Sequence, residues 1–121
     1  MRAANVFLSF RYAFAGLFYL LRTQRNAQIH CLIGCAATAA GMWLGISRVE
    51  WAVIVLTCAL VLAAEGANTA IEAVVDIAAP GYHPLAKIAK DVAAGAVLLT
   101  AIAAVIVGLI IFGPYLLALV L

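Results

Sequence analysis

Residues 92–112 read VAAGAVLLTAIAAVIVGLIIF, which is 21 residues without a charged side chain. A helix needs about 20 apolar residues to cross the ~30 Å hydrocarbon core of a bilayer, so this stretch predicts a transmembrane helix. The whole chain of 121 residues is 69% hydrophobic and 10% charged, whereas soluble domains contain about 25% charged residues. The composition excludes an ordinary soluble domain, and a net charge of +2 is too small to indicate a nucleic-acid-binding protein.

Two further segments, residues 27–46 and 51–76, are also apolar and long enough to span a membrane. We expect the third span to stop at Gly113-Pro114, because proline interrupts a helix. A chain of this length allows only one domain. We therefore predict a single membrane domain over residues 1–121.

The N-terminal residues 1–25 combine aromatic residues with arginines and with weakly polar residues at helical spacing. Arg11 leaves too short an apolar core for a signal peptide. We predict an amphipathic helix on the membrane surface, with a short fourth span as the alternative. The predicted fold class is thus an all-α membrane protein with one surface helix and three transmembrane helices.

The cationic residues predict the orientation, since short cytoplasmic loops are enriched in Lys and Arg. Arg48 lies between the first two spans and is partly offset by Glu50. The other cations fall on the opposite side, which we interpret as the cytoplasm, and the C-terminus is then outside. These cations are Arg2, Arg11, Arg22, Arg25, Lys87 and Lys90.

The second span carries a stripe of polar residues, although ionisable residues inside a membrane are costly and usually face a protein interior or a polar cavity. At about 100° per residue the stripe stays within roughly 80° of one helix face. Its members are Glu65, Asn68, Glu72 and Asp76. The carboxylates repel one another unless Lys87, Lys90 or a cation such as Mg²⁺ lies nearby. Hydrogen bonding between helices is the alternative role.

A second polar cluster, Lys87, Lys90 and Asp91, opens the third span. By itself it is also typical of a positive-inside anchor. Together the two clusters contain carboxylates, an amide and lysines, the groups that phosphoryl transfer uses for positioning and charge neutralisation. There is no P-loop or protein-kinase signature. The residues alone predict a carboxylate site near the cytoplasmic face that is suited to metal and phosphate.

Three motifs resemble the prokaryotic diacylglycerol kinase/undecaprenol kinase family. They are RNAQIH at 25–30, EGANTAIEAVVD at 65–76 and YHPLAKIAKDVAAGAVLL at 82–99. The resemblance covers nearly the whole chain. It implies an ATP- and Mg²⁺-dependent lipid kinase of the bacterial cytoplasmic membrane, with its site facing the cytoplasm. It also implies a homotrimer with active sites shared between neighbouring protomers.

The resemblance also implies roles for individual residues. The residue matching Glu65 is the general base on the lipid hydroxyl, and the one matching Glu72 holds the metal that bridges to ATP. Asn68, Lys90 and Asp91 match residues that support the site and the phosphates. Tyr12, Tyr82 and His83 match nucleotide-contacting positions.

One departure from the family pattern concerns the metal. Family members usually place a Glu shortly after the surface helix as a second metal ligand, and the matching residue here is Gln24. A neutral amide is a weaker Mg²⁺ ligand than a carboxylate. A relative with weak kinase activity is therefore one alternative, and a non-enzymatic, ion-conducting membrane oligomer is another.

The expected acceptor is a membrane lipid alcohol. Arg25-Asn26 and the HPLAK segment at 83–87 look more like the undecaprenol kinase branch of the family than the diacylglycerol kinase branch. We therefore favour undecaprenol. Diacylglycerol, which would give phosphatidic acid, is the alternative acceptor.

Overall fold

The computed structural model describes residues 3–121, with side chains from Asn5 onward. In this part of the chain the elements are α1 (Ala3–Thr23), α2 (Arg25–Leu44), α3 (Arg48–Ala78) and α4 (Pro84–Val120). The last three are long and apolar enough to cross a membrane, which confirms the all-helical fold and gives three candidate membrane spans. Arg2, which entered the charge count, lies outside the described residues. The surface location of α1 stays a prediction.

The connection between α2 and α3 is short because both helix ends are capped. Gly45 adopts a left-handed conformation (φ 67°, ψ 48°), and its N–H donates to the Gly41 carbonyl at 2.9 Å. Ser47 and Glu50 form a capping box, in which each side chain accepts a hydrogen bond from the other residue's backbone N–H. Helices joined by so few residues lie antiparallel.

The expectation that the third helix stops at Gly113-Pro114 is wrong. α4 continues through Pro114 to Val120, so the proline removes one intrahelical hydrogen bond without ending the helix. Immediately after it, the Tyr115 hydroxyl donates to Glu50 Oε1 at 2.6 Å. This bond, together with the buried Ile111, fixes the end of α4 against the start of α3.

The start of α4 also differs from the predicted span. The helix begins at Pro84, with His83 as its N-cap: His83 Nδ1 accepts a hydrogen bond from the Leu85 N–H at 3.1 Å. Proline suits this first helical position because its missing N–H would be unpaired there anyway. Lys87 and Lys90 therefore project from the first turns of a helix of 37 residues. At 1.5 Å per residue it is about 55 Å long.

The single chain buries few side chains. Ile46, Ile54 and Ile111 form a small core at the end where α2 joins α3. Most large apolar side chains are exposed, as expected for helices whose outer surface meets lipid. Because so few side chains are buried, the burial of a polar residue in α3 requires an explanation.

Candidate active site

Glu65 is the buried charged residue of α3, with 2% of its surface exposed. Helix α2 brings His30 Nε2 to 3.3 Å from Glu65 Oε1. Helix α1 brings Leu20, itself 4% exposed, over the neighbouring Gly66, where an added Cβ would lie 3.7 Å from Leu20 Cδ2. Parts of α1, α2 and α3 therefore enclose one carboxylate.

Two oxygens in this region are buried without a hydrogen-bond partner in the part of the chain that the structure describes. They are Glu65 Oε1 and Asn68 Oδ1. The contact from His30 to Glu65 is close, but it lacks hydrogen-bond geometry. Buried polar atoms are nearly always paired, so an unpaired one calls for an explanation such as a ligand. A hydroxyl donor or a cation would satisfy these oxygens.

Along the rest of the stripe, burial decreases toward the α3–α4 loop. Asn68 Nδ2 donates to Glu72 Oε1 at 3.1 Å, and both residues are half-buried. Asp76 is exposed and accepts a hydrogen bond from Lys90 Nζ at 2.5 Å. The stripe thus leads from a buried carboxylate to an exposed ion pair, and α4 supplies the positive charge that the sequence required.

The α3–α4 loop encloses a cavity of about 350 Å³ next to this ion pair. Its polar lining residues are Tyr82, His83, Lys87, Lys90 and Asp91. Lys87 Nζ donates to Asp91 Oδ2 at 2.6 Å within the first turns of α4. The structure therefore brings together the predicted nucleotide-contacting residues of the loop and of α4.

Five predicted site residues do not line this cavity: Glu65, Asn68 and Glu72 of α3, together with Tyr12 and Gln24. Tyr12 lies on α1 with 68% of its surface exposed. Gln24 is the N-cap residue of α2, and its Nε2 donates to Thr23 Oγ1 at 3.2 Å. No hydrogen bond joins Gln24 to Glu72 among residues 5–121. Within one chain, then, Glu72 is hydrogen-bonded to Asn68, and neither Tyr12 nor Gln24 forms a hydrogen bond with either of them in the described residues.

The oxygen donors fit a magnesium ion that arrives with a nucleotide. In the described residues no three His, Cys, Asp or Glu side chains form a metal-binding group. Mg²⁺ is commonly held by one or two carboxylates, with waters and substrate phosphates completing its shell. The Glu72 carboxylate and the unpaired Oδ1 of Asn68 are suitable ligands of this kind.

Sequence reasoning gave His30 no role of its own, although His30 is part of the RNAQIH motif. A usable signal was present, since His30 lies inside the predicted span 27–46 and an ionisable residue at such a position is a functional candidate by default. What the sequence alone did not reveal is its partner. Only the packing of α2 against α3 identifies Glu65.

Comparison with known proteins gives matches over most of the chain. A family model described as prokaryotic diacylglycerol kinase matches residues 11–112. The chain is 52% identical over 118 residues to a diacylglycerol kinase of Synechocystis sp., covering 97% of this chain and 67% of that protein. It is 44% identical over 108 residues to the undecaprenol kinase of Bacillus subtilis, covering 89% of this chain and 88% of that protein. A diacylglycerol kinase of Escherichia coli K12 is 39% identical over 70 residues, which are 58% of this chain and 57% of that protein.

Proposed function

The chain belongs to the prokaryotic diacylglycerol kinase family, and from this premise we propose that it transfers the terminal phosphoryl group of ATP to a membrane lipid alcohol. The enzyme class is lipid kinase. We further propose that the reaction uses Mg²⁺ and takes place at the cytoplasmic face of the bacterial cytoplasmic membrane. The carrying observation is the buried Glu65, whose Oε1 has no hydrogen-bond partner among the described residues.

In this proposal Glu65 is the general base. The lipid hydroxyl oxygen bonds to the terminal phosphorus, the bond from that phosphorus to the leaving ADP oxygen breaks, and the hydroxyl proton passes to the Glu65 carboxylate. A carboxylate with an unpaired oxygen can accept the hydroxyl donor that it lacks. Its position in a predicted span suits an alcohol that is itself anchored in lipid.

The nucleotide phosphates are proposed to lie toward the exposed end of the stripe. Lys90, Asp91, Tyr82 and His83 line the same cavity, where ATP can be held without entering hydrocarbon. Glu72, supported by Asn68, would hold Mg²⁺. The ion would neutralise phosphate charge during transfer.

We propose undecaprenol as the acceptor. The undecaprenol kinase of Bacillus subtilis matches over 88% of its own length, and the RN and HPLAK segments favour the same branch. Diacylglycerol is the second candidate, because the Synechocystis relative at 52% identity is named a diacylglycerol kinase.

A homotrimer is part of the proposal. Within the described part of one chain, Tyr12 and Gln24 do not line the cavity and form no hydrogen bond with Glu72. Sites shared between protomers would allow these residues of one chain to serve the site of its neighbour.

The test is phosphoryl transfer by the purified protein in lipid nanodiscs, with Mg²⁺, labelled ATP, and either undecaprenol or diacylglycerol. We expect label in undecaprenol. Glu65→Gln should lower the rate about 100-fold or more, the usual contribution of a general base. Glu50→Gln is the matched control, because it neutralises a carboxylate at the other end of α3 and should retain transfer.

Label only in diacylglycerol would establish the second candidate. A folded protein that labels neither lipid would overturn the proposal. The ion-conducting alternative would then be supported by liposome flux that survives Lys90→Ala but is lost in Glu65→Gln.

A further inference from the structure

Glu65 is enclosed by three helices, but few of the surrounding groups are polar. Leu20 of α1 is buried next to Gly66, the residue that follows Glu65. The Thr69 hydroxyl donates to the Glu65 backbone carbonyl at 2.9 Å and so does not serve the carboxylate. The Glu65 carboxylate lies 3.3 Å from Nε2 of His30 on α2.

His30 itself has no competing partner in the described residues. Its side chain is 21% exposed and lies at the edge of a cavity of about 410 Å³ between α2 and α3. The other residues lining this cavity are apolar, cysteine or threonine, and Thr38 already donates to the Gly34 carbonyl at 2.8 Å. The Nε2 edge of the imidazole therefore faces one acceptor, the Glu65 carboxylate.

We propose that His30 is the positioning residue of Glu65: it acts as the donor that orients the carboxylate toward the acceptor hydroxyl. The inference rests on the proposed function, because it assigns a partner to the proposed base. A separation of 3.3 Å without hydrogen-bond geometry fits this role, since catalytic hydrogen bonds are often long before substrate binds and shorten in the reactive complex. A small rotation of either side chain converts the contact into a hydrogen bond.

The physical need for such a residue follows from the burial of Glu65. A carboxylate with 2% of its surface exposed has few groups that can fix its rotamer, so its direction depends on polar neighbours such as His30. Misplacement of a reacting group by about 1 Å can lower a rate about 100-fold. His30 contacts the base and would act on the reaction only through it.

The experiment compares His30→Leu and His30→Gln with wild type in the lipid-transfer assay. Leucine removes the donor, whereas the glutamine amide places an N–H close to the position of Nε2. We expect His30→Leu to lower kcat about 10- to 100-fold with the KM for ATP unchanged, and His30→Gln to restore most of the loss. Thr38→Val is the matched control, since it alters a polar side chain of the same cavity that does not contact Glu65.

A double-mutant cycle separates positioning from structural support. In Glu65→Asp the carboxylate is one methylene shorter and out of reach of His30, so adding His30→Leu should have little further effect on kcat. An equal loss in both backgrounds would overturn the inference, as would an unchanged kcat in His30→Leu. If His30→Leu fails to fold, His30→Ala, which also lacks the donor, replaces it: a loss of kcat that His30→Gln restores supports the donor role, and a kcat equal to that of wild type contradicts it.

The two proposals fail in different ways. If the wild-type protein labels neither lipid, the proposed function fails. If wild type is active and Glu65→Gln is not, but the His30 variants match wild type, only the role of His30 is refuted.

Discussion

The substitution of glycine by alanine can be compared at Gly41, where the surroundings are crowded, and at Gly66, where there is room for a Cβ. A Cβ added at Gly41 of α2 would lie 2.8 Å from Trp51 Cη2 and 3.0 Å from Ile46 Cδ1. A Cβ added at Gly66 of α3 would meet Leu20 Cδ2 at 3.7 Å, which is ordinary van der Waals contact. Alanine should therefore be less well tolerated at the first site than at the second.

The magnitude follows from the difference between the two variants. Replacing Gly by Ala within a helix contributes about 1 kcal/mol in favour of folding, and this contribution is common to both. At Gly41 the indole ring of Trp51 is rigid and has to move, and overpacking of this kind costs about 1–3 kcal/mol. We expect Gly41→Ala to be less stable than Gly66→Ala by that amount, or about 5- to 150-fold in the unfolding constant.

The assay is reversible unfolding of each variant in the same detergent micelles, followed by loss of helical circular dichroism. Lipid-kinase activity per folded molecule should stay near wild type in Gly41→Ala, because Gly41 belongs to the end of the bundle away from Glu65. Gly66→Ala should also remain active. A Gly41→Ala protein as stable as Gly66→Ala would refute the packing argument.

Three further predictions concern polar residues. Lys90→Ala should lower kcat/KM for ATP about 100-fold, and Lys87→Ala by a smaller factor because the Lys87 side chain is the more exposed of the two, 62% against 42%. Equal losses would contradict a separate role for Lys90. Tyr115→Phe removes the hydrogen bond to Glu50, so it should lower the midpoint of thermal unfolding without changing the kinase rate. A lower kinase rate with an unchanged midpoint would contradict this prediction. Gln24→Glu should lower the Mg²⁺ concentration needed for half-maximal activity, since a carboxylate is the stronger ligand; an unchanged titration would count against Gln24 as a metal-site residue.

The three spans could be predicted from sequence because their apolar length alone determines them. The helix ends could not, because they depend on contacts between distant residues. Pro114 predicts a stop when the sequence is considered locally. The helix continues because the Tyr115 hydroxyl donates a hydrogen bond to Glu50 on α3. No local sequence pattern contains that information.

The candidate site was predictable in part for a similar reason. The spacing of Glu65, Asn68 and Glu72 places them on one face, and the structure agrees with burial at Glu65 and a hydrogen bond between the other two. The pairing of His30 with Glu65 required knowledge of how α2 packs on α3. The predicted roles of Tyr12 and Gln24 came from the family resemblance, and neither residue lines the cavity of the α3–α4 loop.

The uninterrupted length of α4 has a consequence for the membrane in which the enzyme works. About 37 Å of helix separates Lys90 from Tyr115, which exceeds the ~30 Å hydrocarbon thickness. When Tyr115 lies at one boundary of the bilayer, the Lys90 amino group at the other end of the helix lies in the headgroup layer. There it is at the same depth as dissolved nucleotide. In a thicker bilayer that same amino group is drawn toward the acyl chains. Phosphorylation by this protein should therefore depend on acyl-chain length, even when the acceptor alcohol is unchanged.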